Sequence, residues 1–423
     1  MRKTEIFEDV VKITKEDASF CKDIIIDESG YRDKISDDMS DRDFLFLMKQ
    51  YIGEYGVKGH FSFYDTQDDK VVPFRVRRYE DALYVTGAAK DSYVKKGDKI
   101  TKIDGLTIEQ AEQKYKAILC GEEKERQGTG FLTLINFAKE IEVCDVDGNV
   151  RIQEVRYGRY NECEEPYVFK KIRDDVAYLK LMDFAGEEQI NSLISDNDNE
   201  ITNSRYLIID VRKNDGGSNT AYYPIYKYAL PAGKQLKDVY HPVTNTEINY
   251  SERNVALRLA LLEEYEKQEL PDETREVLGV LKDELLSNRG KGFVRLPEEE
   301  MLPEAVGVQR PEKIIIITDY ECGSSGEMFV KEIGALDKVT VIGRPTMGIM
   351  DYADVAVIDY DNYSLSYPTS RDLAVDEGAG MKNKGVQVDK YIKWTQEHLV
   401  KDVDLIEALN MLGVELRYKE KKI

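Results

Sequence analysis

The stretch Ile314-Ile-Ile-Ile-Thr318, followed by Asp319-Tyr-Glu-Cys-Gly-Ser-Ser-Gly-Glu327, decides the fold. A short run of isoleucines is typical of a strand buried on both faces, and residues 328–336 then favour a helix. A hydroxyl residue at a strand-to-helix turn lies at the edge of the sheet, where the free N–H groups of the helix start favour a developing oxyanion. Ser324 and Ser325 are therefore candidate nucleophiles, although a lone serine at this place is more often an ordinary helix N-cap.

Outward from this stretch, strands alternate with helices from Val168 to the end, which predicts an α/β core. The other strands are predicted at Ala177–Leu181, Tyr206–Asp210 and Val339–Gly343. The loop after Asp210 contains Gly216 and Gly217, and paired glycines allow backbone amides to face a ligand. A phosphate-binding loop needs a longer glycine-rich cradle with Lys-Ser/Thr, which this loop lacks.

Three regions are predicted along the chain. Residues 1–65 form a helical segment carrying a turn at His60, 66–160 form a small β domain, and 161–423 form the α/β core with a helical insertion at about 246–300. The pattern G-D-x-I-x-x-I-D-G at 97–105 resembles a PDZ domain, the alternative being an unrelated small β domain. Two interpretations of the insertion have about equal weight: a lid or interaction arm, and a solvent-exposed insertion without a role of its own.

Composition excludes several classes of function. Sixty Lys plus Arg against 81 Asp plus Glu leave a net charge of −21, which argues against a nucleic-acid partner or an anionic membrane surface. Three histidines and five scattered cysteines without a C-x-x-C pair argue against a metal cluster and a disulfide framework, and mildly favour a reducing compartment. No stretch approaches the roughly 20 apolar residues of a membrane span. Because no secretory signal is visible at the start, we expect a cytoplasmic protein, or an exported one if a signal was trimmed.

In their order, four loop patterns resemble the core of the S41 peptidases, the C-terminal processing and tricorn-core family. That family shows D-x-R-x-N-x-G-G, S-x-x-E, G-E-x-T-x-G and G-V-x-P-D. The corresponding stretches here are Asp210–Gly217, Ser324–Glu327, Gly343–Gly348 and Gly385–Asp389. The resemblance implies that Ser324, rather than Ser325, is the nucleophile. It also implies oxyanion donors at Gly216, at Gly217 and at the amide of Ser325.

The resemblance also selects a general base. One branch of the family has a lysine directly after T-x-G, where this chain has Ile349. The tricorn-like branch instead takes a histidine from a G-H-[ST]-like turn, which Gly59-His60-Phe-Ser62 fills. That branch orients the histidine with a glutamate three residues before the closing G-V, where this chain has Lys382. Asp376 and Glu377 lie just upstream and are the possible substitutes.

His241 and His398 match no family position, and we expect them to be structural. The residues and the resemblance together predict a serine endopeptidase that cleaves unstructured or C-terminal protein segments through an acyl-enzyme, without metal or cofactor. The PDZ-like domain would receive the peptide by strand addition. The alternatives are a degenerate homologue that binds peptides or hydrophobic ligands without cleaving them, and an esterase. The oligomeric state is not indicated by the sequence.

Overall fold

A computed structural model describes residues 1–67, 70–121, 123–160, 164–239, 245–268, 270–296 and 303–414. The α-helices in these ranges are α1 (Lys3–Glu16), α2 (Ser29–Arg32), α3 (Asp41–Gly53), α4 (Ile108–Lys114), α5 (Lys116–Leu119), α6 (Gly128–Phe137), α7 (Glu187–Asp196), α8 (Asp198–Asn203), α9 (Tyr226–Ala229), α10 (Glu252–Glu266), α11 (Asp272–Asn288), α12 (Ser325–Gly334) and α13 (Val403–Met411). None of these described helices has the length and apolar character needed to cross a bilayer.

The strands in the same ranges form three sheets. They are β1 (Ser62–Asp65), β2 (Phe74–Tyr79), β3 (Ala82–Ala88), β4 (Lys99–Ile103), β5 (Leu106–Thr107), β6 (Glu140–Cys144), β7 (Val150–Glu154), β8 (Tyr167–Arg173), β9 (Val176–Leu181), β10 (Tyr206–Asp210), β11 (Thr246–Tyr250), β12 (Gly292–Arg295), β13 (Lys313–Thr318), β14 (Val339–Gly343), β15 (Tyr352–Tyr360), β16 (Tyr363–Asp372) and β17 (Lys390–Tyr391).

The first sheet has the order β17-β14-β13-β10-β9-β8 and is parallel except for β8, which runs antiparallel to β9. Its central strands are buried on both faces, which explains their unbroken apolar sequence. The strands predicted from sequence are confirmed to within one residue, and the mixed α/β fold class is confirmed as well. Because β10 and β13 are parallel neighbours, the two loops that follow them begin side by side.

The second sheet joins distant parts of the chain. Its order is β1-β16-β11-β12, with β15 paired to β16, so the N-terminal segment and the insertion both contribute strands to it. Ser40 caps α3 and Ser251 caps α10, each side chain accepting a backbone N–H of the first helical turn. Apolar residues of the N-terminal segment pack with residues of β15 and β16 in one hydrophobic core. This shared core positions the turn at His60 relative to the rest of the molecule.

The third sheet, β2-β3-β4-β6-β7 with β5 beside β4, encloses its own hydrophobic core. Helices α4 and α5 follow one another in this region and are divided at Tyr115. The assignment of this region to the PDZ class, and the predicted domain boundaries, stay predictions.

Candidate active site

Ser324 lies between β13 and α12, and its backbone is strained. Its φ is 54° and its ψ is −129°, a combination that residues with a β-carbon rarely adopt. Strain of this kind costs about 1–3 kcal/mol and occurs most often at functional sites. Ser324 occupies the N-cap position of α12, yet its side chain makes no capping hydrogen bond. The structure therefore does not support the simpler interpretation of Ser324 as a helix cap.

The loop after β10 lies directly against this serine. A β-carbon built on Gly216 would lie 2.5 Å from Cβ of Ser324, and Gly216 has a φ of +101°. Gly217, at φ +140°, packs against the backbone of Phe184 in the same way. Both positions therefore need glycine for space as well as for backbone conformation.

The backbone amides of the two loops differ in their partners. The N–H of Gly216 donates to Oδ1 of Asn214 at 3.1 Å and is therefore engaged. The N–H groups of Gly217 and Ser325 donate to no residue that the structure describes. Ser325 Oγ donates to the carbonyl of Gly217 at 2.6 Å, which connects the two loops.

Asn214 connects the same loops through its backbone. It is fully buried, its Nδ2 donates to the carbonyl of Leu181 at 3.2 Å, and its carbonyl accepts the N–H of Gly323 at 2.8 Å. The asparagine of D-x-R-x-N-x-G-G thus sets the position of the glycines relative to Ser324.

Glu327 holds the loop that follows β14. Its carboxylate is completely buried and accepts hydrogen bonds from Thr346 Oγ1, from the N–H of Gly348 and from the N–H of Ile349, each at 2.8 Å. Burial raises the pKa of this carboxyl, and the three donors oppose that rise. The glutamate of S-x-x-E therefore organises the third loop, whereas the serine lies at the strand-to-helix turn.

The fourth loop closes on the third. Val386 donates its N–H to Thr346 Oγ1 at 2.7 Å, and Gly385 packs against the carbonyl of the same threonine. Asp389 Oδ2 accepts the N–H of Val341 in β14 at 2.8 Å. All four sequence patterns thus meet at one edge of the first sheet.

Buried ion pairs lie beneath the loops. Arg212 contacts Asp210 and Asp404, and Arg344 contacts Asp404 and Asp319. Burial opposes ionisation of Asp319, but the guanidinium groups of Arg344 and Arg77 outweigh it and hold the pKa of this carboxyl well below its usual range. The Arg77 contact comes from β2, so the third sheet is tied to the start of the nucleophile turn.

His60 lies in the turn between α3 and β1 and is half-buried. Its Nδ1 is 2.6 Å from the carbonyl oxygen of Tyr352. A carbonyl oxygen only accepts, so Nδ1 carries the proton and Nε2 keeps its lone pair in the neutral ring. A backbone carbonyl, rather than a carboxylate, orients this imidazole.

The acidic residues considered for that role lie elsewhere. Asp376 forms an ion pair with Arg371, and Glu377 is exposed. The ammonium of Lys382 donates to the carbonyl of Tyr55 at 3.3 Å. None of the three is hydrogen-bonded to His60 in the described structure.

Ile349 lies between the serine and histidine turns. Its Cδ1 would be 3.0 Å from a β-carbon built on Gly59 and 3.2 Å from one built on Gly323. Gly59 and Gly323, which precede His60 and Ser324 in sequence, thus pack on the same methyl group of Ile349. Among the described residues, no hydrogen bond joins the side chains of His60 and Ser324. His398 stacks on Trp394 and approaches Asp404 at 3.4 Å, a structural arrangement, whereas His241 lies outside the described residues.

Arg126 is a site residue that the sequence interpretation missed. From the third sheet's region it donates to the carbonyls of Thr346 and Met347, at 2.8 and 3.1 Å, and to that of Lys384. The carbonyl of Tyr352 was missed as well. A backbone acceptor leaves no signal in sequence, and Arg126 lies in no recognisable pattern.

A cavity of about 820 Å³ opens beside the nucleophile turn, between the third sheet and the first. Asp215, Glu321 and Met347 line it at the serine end, and Arg77 and Leu132 line it on the side of the third sheet. Met347 Sδ would lie 3.2 Å from a β-carbon built on Gly323, so a residue that lines the cavity also packs beside the neighbour of Ser324.

A strained serine beside a glycine loop, at the carboxyl ends of parallel strands, is the arrangement of a serine hydrolase. The model of peptidase family S41 matches residues 175–392, which is just over half of the chain. The chain belongs to peptidase family S41.

Solved structures of mature CPAF show the same fold. Mature CPAF complexed with lactacystin superposes with a TM-score of 0.64 at 14% identity, covering 94% of this chain and 95% of that one. Mature CPAF alone gives a TM-score of 0.64 at 14% identity, with 98% and 99% covered. The photosystem II D1 C-terminal processing protease is a weaker match, with a TM-score of 0.48, 11% identity and 98% of each chain covered. Among curated proteins, none matches the sequence significantly.

Proposed function

We propose that this chain is a serine endopeptidase that cleaves unstructured or C-terminal protein segments through an acyl-enzyme on Ser324. The observation that carries the proposal is the strained backbone of Ser324 against Gly216. The surrounding loops hold this serine out of its capping role, and Asp215 and Met347 of those loops line a cavity. The cavity is large enough for several residues of an extended polypeptide.

The oxyanion donors in this proposal are the N–H groups of Gly217 and Ser325. Both amides belong to the loops that enclose Ser324, and neither donates to a described residue. Gly216 is different, since its N–H already donates to Asn214. Its role is to let the loop approach the serine.

His60 is the proposed general base. Nε2 takes the proton of Ser324 Oγ while Oγ bonds to the substrate carbonyl carbon, and the oxyanion forms between the two amides. The peptide C–N bond then breaks as Nε2 returns the proton to the leaving amine, and water repeats the sequence to release the acyl group. The serine and histidine are not hydrogen-bonded to each other here, and such pairs often tighten only around substrate.

Labelling by a fluorophosphonate tests this proposal, because only an activated hydroxyl reacts. We expect one label on Ser324 in the folded protein, none in Ser324→Ala, and loss of hydrolysis of an unfolded protein in the same variant. Ser325→Ala keeps the proposed nucleophile and should still be labelled. Wild-type turnover by Ser324→Ala would refute the assignment. Faster turnover of esters together with none of peptides would favour an esterase.

A second candidate is a degenerate homologue that binds peptides without cleaving them. The observation that favours it is the absence of a carboxylate against His60 in the described structure, with Lys382 in the family's acidic position. Peptide binding without fluorophosphonate labelling would support this candidate.

A further inference from the structure

Strand β7 forms an open edge of the third sheet. It pairs with β6 over five residue pairs without a shift of register, and no other strand in the described ranges pairs with it. The opposite edge of the same sheet, β2, is covered by α6. A β-carbon built on Gly128, where α6 begins, would lie 2.8 Å from the carbonyl oxygen of Val76. The third sheet thus has one covered edge and one edge that no described strand covers.

Alternate main-chain groups of β7 face this open edge. The N–H of Val155, just after the strand, donates to the carbonyl of Lys139 at 2.9 Å. In an antiparallel pair, bonded residues alternate with non-bonded ones, so Val150, Ile152 and Glu154 direct their N–H and C=O groups away from β6. None of these three N–H groups donates to a residue that the structure describes. A strand added at this edge would pair with them.

The side chains at the open positions are apolar and exposed. Val150 and Ile152 are 63% and 67% exposed. Proteins usually protect an open edge strand with a lysine, a proline or a bulge, and β7 has none of these. Arg151, the basic residue of the strand, lies opposite buried Val143 and pairs with Asp98 at 3.2 Å. The edge therefore offers both main-chain groups and apolar side chains to a partner strand.

We propose that two copies of this chain associate by antiparallel pairing of β7 with β7, which joins their third sheets into one. A two-fold axis at Ile152 would place Ile152 opposite its own copy and Val150 opposite Glu154, so that the open main-chain groups of both strands meet. Pairing centred on Arg151 would instead place two guanidinium groups opposite each other, and like charges in that position are destabilising. Charge therefore favours the axis at Ile152.

The position of β7 favours a second copy over a substrate. Arg75 and Arg77 of β2 line the cavity beside the nucleophile turn. In the sheet order β7 lies four strands from β2, about 19 Å at the usual spacing of strands. A peptide added at β7 would thus lie at the edge of the third sheet that is remote from the cavity. A second copy brings the same open edge, so a single contact covers both.

Sedimentation velocity of the full chain tests this proposal. A contact of this size is weak, so we expect the mass to rise from monomer towards dimer between about 1 and 200 µM. Added salt should strengthen the dimer, because each chain has a net charge of −21 and salt screens the repulsion. Ile152→Lys should raise the dissociation constant at least about tenfold, since two ammonium groups would replace the apolar contact at the axis. Val357→Lys, which changes an exposed valine of β15, is the matched control.

Cross-linking tests the position of the axis. Bonded residues of an antiparallel pair have Cα atoms about 5.5 Å apart, which is within the range of a disulfide. Ile152→Cys should therefore form a disulfide-linked dimer under mild oxidation, beyond any that the unsubstituted protein forms. Glu154→Cys should not, because the two copies of residue 154 would lie about 14 Å apart.

Several results would overturn the proposal. They are a monomer at every concentration, a dissociation constant that Ile152→Lys leaves unchanged or that Val357→Lys raises equally, and equal cross-linking of the two cysteine variants. A monomer whose β7 amides are protected from hydrogen exchange by an unfolded protein would also overturn it, and would assign the edge to another polypeptide. Fluorophosphonate labelling of Ser324 does not depend on β7, so the peptidase proposal is tested separately.

Discussion

The serine half and the histidine half of the site are built differently. Ser324 sits on the edge of a parallel sheet, where backbone N–H groups that donate to Asn214 and Glu327, together with buried ion pairs, hold each loop. His60 sits in a turn packed on an aromatic core, and one backbone carbonyl orients its ring. The position of Ser324 is therefore set by polar side chains of defined identity. The position of His60 is set mainly by the shape of the apolar core on which its turn packs.

The aromatic packing around the histidine turn shows this contrast. Phe61, the next residue, packs on Phe20 and Tyr55 with ring centroids 5.0 and 5.6 Å apart. Phe20 also meets the ring of Tyr352, whose carbonyl accepts from His60. Apolar packing tolerates substitution by residues of similar volume better than buried hydrogen bonds do. The difference teaches that the serine half can be recognised from motifs, and that the orientation of the histidine cannot.

The largest effect is expected in the serine half, from Gly216→Ala. The new β-carbon would overlap Cβ of Ser324 and would also have to adopt a φ of +101°. We expect hydrolysis to fall by about a hundredfold or more, because the overlap would displace Ser324 or the proposed donor Gly217 from its working position. Gly148→Ala is the matched control, because Gly148 has a φ of +88° and nothing within 4 Å. If both variants lose activity equally, backbone strain alone is responsible and the contact with Ser324 is unimportant.

Glu327→Gln should have the next largest effect. A glutamine amide has one acceptor oxygen fewer than the carboxylate, so one of the donors from Thr346, Gly348 and Ile349 is left unpaired. A buried unpaired donor lowers the free energy of unfolding by about 1–3 kcal/mol. We expect turnover to fall about tenfold as the third loop shifts, alongside a lower melting temperature. Glu332→Gln changes another buried glutamate of α12, which accepts from Tyr222, and should lose stability with little loss of turnover. Equal turnover in both variants would contradict this role for Glu327.

The smallest effect is expected in the histidine half, from Lys382→Glu. Replacing an ammonium by a carboxylate near the turn stabilises the imidazolium that forms during attack. Because Nδ1 already donates to Tyr352, the gain is electrostatic, and we expect kcat to rise by up to about tenfold on an amidated, neutral peptide. Lys384→Glu, two residues along and exposed, should leave kcat unchanged. If the unsubstituted protein and Lys382→Glu are both inactive, the result would favour a homologue that binds peptides without cleaving them.

Much of the serine half could be predicted from the amino-acid sequence. Strands β10 and β13 follow from their apolar runs, and the serine turn follows from the strand-to-helix transition. The resemblance implies Gly216 as an oxyanion donor, whereas in the structure the N–H of Gly216 donates to Asn214. A sequence pattern indicates that a glycine is needed but does not say whether its conformation or its amide is used.

The sequence by itself determined the α/β class, the family and the candidates Ser324 and His60, because these depend on hydrophobic periodicity and on motifs that are local in the chain. Only the tertiary structure decided which groups contact them. The carbonyl of Tyr352 lies 292 residues from His60, and the carbonyl of Tyr55 lies 327 residues from Lys382, which donates to it. Contacts of this kind arise when β1 pairs with β16, and strand pairing between distant segments is set by the packing of the whole core rather than by local sequence.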